Sequence, residues 1–282
     1  MPSNPGGAAI PASWLMTTLY VLGSGSSGNA LAVECGGRVL LVDAGFSAKE
    51  ILRRAALVGL DLGRGRTVGI VLTHEHNDHA TGARRLAHAL RAPILASPGT
   101  RDRLQPLMPK ARFLVLTLMG AVSHGGFEIE ACSTSHDAAD PVALAITTGA
   151  GCRIGIAYDL GRPTAAVRYL LRQAHALVLE ANHDEVLLRT SGYPPSVQQR
   201  IAGSGGHLSN RAAAELIGEL LHPGLAYVVL AHLSERCNTA AEARAIVEPV
   251  LRALEYGGEL HVAVQDRPLP PLEVRVAFPS AL

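Results

Sequence analysis

The sequence predicts an α/β protein, one domain of two packed sheets with helices outside. Three observations predict it. The chain has two strand-rich halves, each followed by helices, and both halves place metal-type side chains at strand ends. No linker separates the halves. The 282 residues are 48% hydrophobic and 17% charged, enough apolar material for a sizeable core and too little charge for a disordered chain.

The elements follow from local pattern. Leu19–Leu22 is a first strand, and Gly23-Ser24-Gly25-Ser26-Ser27-Gly28 follows it. These glycines match G-x-G-x-x-G, but a dinucleotide site needs a helix next. The next residues, Asn29–Cys35, suit a strand, so the nucleotide reading is rejected. The stretch reads as a tight turn at the rim of a site, where backbone N–H groups, Ser26, Ser27 and Asn29 could contact an anionic substrate. Gly36-Gly37 marks a hairpin into a strand over 38–43 that ends at Asp43. Ser47 caps a helix to about Val58, with Glu50 at the capping-box position. Val68–Thr73 is apolar and β-branched, a buried strand. Helices are expected over 81–90, 100–107, 164–172, 210–221 and 240–254. Further strands are expected at 93–96, 113–116, 127–132, 142–148, 153–158, 176–180, 225–231, 259–264 and 272–277. The stretch 181–207 is polar and shows few apolar runs.

The chemistry concentrates after the Val68–Thr73 strand. Residues 71–79 read Val-Leu-Thr-His-Glu-His-Asn-Asp-His. His74, His76, Asp78 and His79 have the side chains that ligate zinc and similar ions. In extended backbone His74 and His76 point the same way, whereas Asp78 and His79 lie past the turn and could face a second ion. Four other strand ends carry a residue of this kind: Asp43, His136, Asp159 and His232. Two cations close together can generate hydroxide from a shared water at neutral pH and stabilise charge on a phosphoryl or acyl oxygen.

This ordered series resembles the metallo-β-lactamase fold superfamily over about Thr17 to Leu254. The resemblance implies a four-layer αββα sandwich of two mixed sheets with outer helices and two divalent metal ions, Zn(2+) or Mn(2+), at one edge. It implies that His74, His76 and His136 hold one ion and that Asp78, His79 and His232 hold the second. Asp159 would bridge them, and Asp43 would support a ligand imidazole from behind. Three further stretches narrow the branch. Leu179-Glu180-Ala181-Asn182, Gly206-His207-Leu208-Ser209 and Ala231-His232-Leu233-Ser234 resemble stretches of RNase Z, with Leu179 where that family has histidine. That likeness implies that His207 donates a proton to the leaving oxygen and that Glu180 orients it, so His207, Glu180 and Asp78 are the catalytic candidates. The whole set is still more similar to the bacterial YycJ/WalJ-type subfamily, which implies a cytoplasmic metal-dependent phosphodiesterase with 5′-to-3′ exonuclease activity on DNA. Tyr158 and Asn77 depart from that pattern, which puts substrate contacts in question.

Alternatives remain open. A metallo-hydrolase of a small ester, thioester or lactam would share the metal residues, and a non-catalytic scaffold would keep only the fold. A net charge of +1 rules out a broadly basic surface, so nucleic acid must be held locally. Arg162, Arg189, Arg200, Arg211 and Arg236 flank the motifs and are candidate phosphate contacts. Cys35, Cys132, Cys152 and Cys237 form no Cys-x-x-Cys pair and read as reduced thiols in a cytosolic protein. No apolar run approaches a membrane span. Residues 1–16 read as a disordered tail before a hydrolase domain over 17–282, with Met16 as an alternative start of translation.

Overall fold

A computed structural model describes residues 16–276. The tail expected before Met16 and the end of the last expected strand at Ala277 lie outside the described residues. The chain builds two seven-stranded mixed sheets. The first contains β1 (Thr17–Gly23), β2 (Ala30–Cys35), β3 (Arg38–Val42), β4 (Thr67–Val71), β5 (Ile94–Ala96) and β6 (Phe113–Val115), and its far edge is β14 (Leu272–Val274). The second runs through β7 (Ala121–His124), β8 (Phe127–Ser133), β9 (Val142–Thr148), β10 (Arg153–Ala157), β11 (Ala176–Glu180), β12 (Tyr227–Ala231) and β13 (Glu259–Val262). In each sheet an antiparallel half meets a parallel half, β3 to β6 in one and β10 to β13 in the other.

Strand alternation explains the layers. Along β3, Leu40 and Val42 face the second sheet, while Val39 and Leu41 face helices. Both faces of the strand are buried, which is why it reads as a continuous apolar run. The outer face of the first sheet carries α1 (Ala48–Leu57), α3 (Ala83–Leu90) and the last turn of α4 (Pro98–Leu104), whose Ile51, Leu86 and Leu104 fill one core. The second sheet is covered by α5 (Ala165–Leu171), α8 (Asn210–Leu220) and α9 (Ala240–Ala253) through Val167, Ile217 and Val247. The expected αββα order is therefore present, with one core between the sheets and one beneath each helical layer.

Two local expectations are corrected. The helix expected from Thr81 is preceded by a separate turn of helix, α2 (Asn77–Ala80), so Asp78 and His79 are helical and not in a loop. The polar stretch 181–207 holds α6 (Glu185–Thr190) and α7 (Pro195–Ala202). Asp184 caps α6 by accepting from Val186 and Leu187 N–H, and Pro195 opens α7. Caps and a first-turn proline signal these helices, and a search for apolar periodicity misses them because α7 buries none of its residues. Among the described residues no helix is long and apolar enough to cross a membrane.

Cys132, Cys152 and Cys237 are buried, and Cys35 is half-buried. Burial pushes the Cys132 thiol up to about 11 and the Cys152 thiol up to about 12. Thiolate is the reactive form, so both should resist alkylation by iodoacetamide at pH 8 until the chain unfolds. Peptide mass spectrometry of native and denatured samples checks this, and fast native labelling of either residue contradicts it.

Candidate metal centre

The parallel strands of both sheets deliver the site. Asp43 follows β3, His74 and His76 follow β4, Asp159 follows β10, Glu180 ends β11 and His232 follows β12. Three of these residues leave their strands in the left-handed region: Asp43 at φ 59°, Asp159 at φ 53° and His232 at φ 54°. That conformation is costly for most residues and least so for Asn, Asp and His. It turns the chain sharply at the strand tip and accounts for short polar or imidazole residues there. Gly45 closes the same corner. A Cβ on it would sit 1.7 Å from the Asp78 carbonyl oxygen, so only glycine lets the β3–α1 loop pass under α2.

Asp159 is the geometric centre. Its carboxylate lies within 4 Å of five imidazoles: His79 at 2.9 Å, His207 at 3.4 Å, His136 at 3.5 Å, His232 at 3.6 Å and His74 at 3.9 Å. Ligand-type atoms of His74, His76 and His136 cluster within 4.8 Å of one another, and so do those of Asp78, His79 and His232. A third such group joins Asp159 to His74 and His79. The two triads expected from the sequence are thus brought together, with Asp159 against both.

Hydrogen bonds aim the rings. Asp43 Oδ2 accepts from His79 Nδ1 at 2.7 Å, leaving His79 Nε2 toward Asp78 and Asp159. Asp43 also accepts from Thr73 N–H, the Thr73 hydroxyl and the Tyr158 hydroxyl, the last at 2.7 Å. His136 Nδ1 donates to the Gly206 carbonyl at 3.2 Å. Glu180 Oε1 accepts from His207 Nδ1 at 2.8 Å and from His232 Nδ1 at 3.0 Å, while its Oε2 takes the Leu160 and Leu208 amides. In each case Nδ1 is committed and Nε2 is left for the cleft, the tautomer that metal ligation by Nε2 requires.

The donor set fits divalent cations. His74 Nε2 is buried and has no hydrogen-bond partner, an arrangement that is costly unless a cation takes its lone pair. Burial and neighbouring rings, His79 first, push the His74 imidazole well down, so its lone pair is available. Burial raises the Asp159 carboxyl, but His232, His79 and His74 outweigh it and hold it well below the usual carboxylate range. Burial likewise lowers His232, but Asp159, Asp78 and Glu180 outweigh it and hold it up at about 10. Asp43 and Asp159 also hold His79 well above its ordinary value against burial. The cluster attracts cations strongly enough to keep two of its own rings protonated.

Among the remaining sequence candidates, Ser26 lines the cleft, which also takes in His76, His136, His207 and Arg200. Ser27 is exposed and its hydroxyl donates to Glu235. Asn29 is a correction. It is fully buried, its amide oxygen accepts from Ser24 and Gly25, and its amide nitrogen reaches the Asp78 carbonyl and His79 Nε2. It braces the serine turn against α2 and does not face substrate. Tyr158 likewise supports Asp43 from inside and has no access to substrate. Sequence reasoning left Glu75 unassigned, although it lies within the histidine motif. Its Oε1 accepts from the Ala139 amide and so ties the His136 loop to the motif. A carboxylate between two histidines of the motif was the available signal.

Residues 23–126 match the family model of the metallo-beta-lactamase superfamily. The chain is 32% identical over 259 residues to the exodeoxyribonuclease YycJ of Bacillus anthracis, covering 90% of this chain and 97% of that protein. This chain belongs to the YycJ/WalJ family of the metallo-β-lactamase superfamily. It is also 28% identical over 255 residues to the exodeoxyribonuclease WalJ of Streptococcus pneumoniae, covering 87% of this chain and 92% of that relative. Among solved structures, YhfI of Bacillus subtilis superposes with TM-score 0.68 at 18% identity, covering 90% of this chain and 98% of its own. Human tRNase Z, short form, superposes with TM-score 0.62 at 18% identity, covering 89% and 98%. These two share the superfamily's fold with this chain.

Two outcomes are expected. Because His79 and His232 carry protons below their raised pKa values, metal binding should release about two protons per chain at pH 7 and weaken as pH falls. Calorimetry in buffers of different ionisation enthalpy measures the count, and zero protons released contradicts the charge assignment. Asp43→Ala should lower metal affinity by about 10–100-fold, because the His79 ring loses its brace. Equilibrium competition with a chromogenic chelator reads this.

Proposed function

We propose that this chain is a metal-dependent phosphodiesterase that degrades DNA as a 5′-to-3′ exonuclease, acting in the cytoplasm through one hydrolase domain over residues 17–282. Two relatives that match over nearly their whole length are named exodeoxyribonucleases. The observation that carries the reading is the His207 ring beside the metal cluster, held 2.8 Å from Glu180 and lining the cleft. Hydrolysis of a lactam or thioester has no special need for that pair. Cleavage of a phosphodiester with an alkoxide leaving group does, because that oxygen must be protonated as it departs.

Under this reading His74, His76 and His136 would hold one cation, Asp78, His79 and His232 a second, and Asp159 would touch both. Two divalent ions, zinc or manganese, would supply a nucleophile at neutral pH and a positive field for charge developing on the phosphoryl oxygens. The protein's own part is orientation and proton transfer. Burial disfavours the His207 cation, but Glu180 and then Asp159 outweigh it and raise its pKa above the ordinary imidazole value, which favours the form that donates from Nε2. Burial raises the Glu180 carboxyl, while His207 and His232 hold it down at about 2, so it stays an acceptor throughout the working range. Glu180 also binds His232, which couples the acid to the metal cluster. Ser26 at the rim and Arg200, both lining the cleft, are the substrate contacts proposed here. The cleft itself measures about 160 Å³, below the roughly 300 Å³ at which drug-sized ligand pockets begin. That favours a substrate that presents one phosphate and extends outward over a substrate swallowed whole.

His207→Ala should lower cleavage of a DNA oligonucleotide by about 10²–10⁴-fold. The same variant should keep most of its activity on bis-p-nitrophenyl phosphate, whose nitrophenolate leaves unprotonated. Steady-state rates of the manganese- or zinc-loaded protein decide this. Equal losses on both substrates remove the acid role. Nitrocefin turnover without any phosphodiester cleavage sinks the phosphodiesterase reading altogether.

A further inference from the structure

A cavity of about 840 Å³ lies away from the metal cleft and is lined by Arg64, Arg84, Arg85, Arg91, Lys110 and Arg112, with His88 among the remaining lining residues and no carboxylate. The whole chain carries a net charge of +1, so six cations around one hollow are a local concentration and not a general feature. All six are exposed. No ion pair among the described residues involves any of them, whereas Arg53, Arg66, Arg153 and Arg168 elsewhere each pair with a carboxylate. Arg64 donates to the Ala89 carbonyl and is thereby held against the end of α3.

The fold explains the gathering. Strands β4, β5 and β6 are parallel neighbours. Arg64 lies just before β4, Arg91 just before β5, and Lys110 and Arg112 just before β6. Three entry loops thus meet at the ends of the strands opposite the metal cluster. Arg84 and His88 stand one turn apart on α3 at spacing i and i+4, with Arg85 beside them, and Arg91 follows as the helix's left-handed C-cap. Because α3 returns antiparallel to β4, it connects the metal-bearing edge to the far edge. The same border segment, Leu104–Met108, touches this cavity through Met108 and a second one through Leu104 and Leu107. That second cavity contains His76 and Asp137, which also line the metal cleft, and it adds Arg103.

A simple structural role does not account for six charges. The C-terminus of α3 offers about half a negative charge, enough to favour one or two nearby cations. A small anion would be held by buried, fixed donors, and here every cation is exposed. Dispersed, unpaired charge around one groove instead suits a ligand that carries its own repeated negative charges. We propose that this groove binds the phosphate backbone of a DNA strand that extends from the metal cleft, as a second, sequence-independent contact that holds the polymer between cuts. The proposal rests on the nuclease reading and deepens it.

The test compares the full-length, metal-loaded chain with R84A/R85A/R91A/K110A. Binding is followed by fluorescence anisotropy with phosphorothioate-protected single-stranded DNA of 40 and of 6 nucleotides across a salt series. Four lost contacts should reduce the slope of log K against log salt by about 3 for the 40-mer, and weaken it at least about tenfold at 0.1 M salt. The 6-mer affinity and the rate on bis-p-nitrophenyl phosphate should stay at the wild-type level. An unchanged 40-mer slope in the variant overturns the groove. So does a wild type that binds both lengths with one slope, or equal protection of the wild type against thermal unfolding by inorganic phosphate and by the 40-mer at matched phosphate concentration. If the quadruple variant fails to fold, R84Q/R85Q carries the same test with an expected slope change of about 1.4. A wild type that turns over bis-p-nitrophenyl phosphate yet neither binds nor cuts any DNA defeats the nuclease reading itself, an outcome distinct from failure of the groove alone.

Discussion

The carboxylate of Asp43 is the contact on which the rest of the site depends. It sits at the end of a strand in the first sheet and is fully buried. It accepts from Thr73, which precedes the histidine motif, and from Tyr158, which directly follows β10 of the second sheet. It also accepts from His79 on α2. One oxygen thus ties two sheets and a helix at the point where their strand ends meet. A buried carboxylate is tolerable only when its lone pairs are taken, and here every partner is an element that carries or orients a ligand-type residue. Glu180 does the corresponding service on the other side, where it joins His207 to His232. The two carboxylates hold the rings from behind, and Asp159 faces them from the middle.

The molecule is divided electrostatically. Acidic and imidazole groups are concentrated where the two sheets meet, and arginines are concentrated at the opposite ends of β4, β5 and β6. Net charge averages these to almost nothing, which conceals both. A polyanion is repelled by bare carboxylates and attracted by unpaired guanidinium groups. A centre that works on DNA therefore needs its cations in the cleft and an accessory field elsewhere. The left-handed residues at three strand ends belong to the same design. Each spends some backbone stability to aim a side chain inward, and the surrounding hydrogen bonds keep the turn in place.

Much of this was legible in the chain. Most sheet strands were readable because a strand buried on both faces is a run of β-branched and aliphatic residues, as in 68–73, whereas β7, which is nowhere fully buried, was not, and its Ser123 and His124 read as a turn. The histidine motif and the isolated Asp43, His136, Asp159 and His232 were readable because each follows such a run, and the fold brings them into one cluster. Helices α6 and α7 were not, because they lie over the site with little buried surface and carry only caps as a signal. Asn29 looked like a rim residue, and its burial depends on α2 approaching through the space left by Gly45, a contact between residues far apart in sequence. The hold of Glu180 on His207 was implied by the resemblance, whereas its second bond, to His232, was invisible for the same reason.

Local sequence determined which residue types stand at which strand ends, since alternation, branching and turn residues act over a few positions. It thereby determined the fold class and the chemical character of the site. Only the tertiary structure decided which imidazole nitrogen faces the cleft, which polar residues are internal braces, and that six scattered cations converge on one groove. Those outcomes are set by which strands lie side by side and by what their burial excludes from water. Parallel pairing joins positions 64, 91 and 112 across two separate crossovers, and no local pattern along the chain encodes that adjacency.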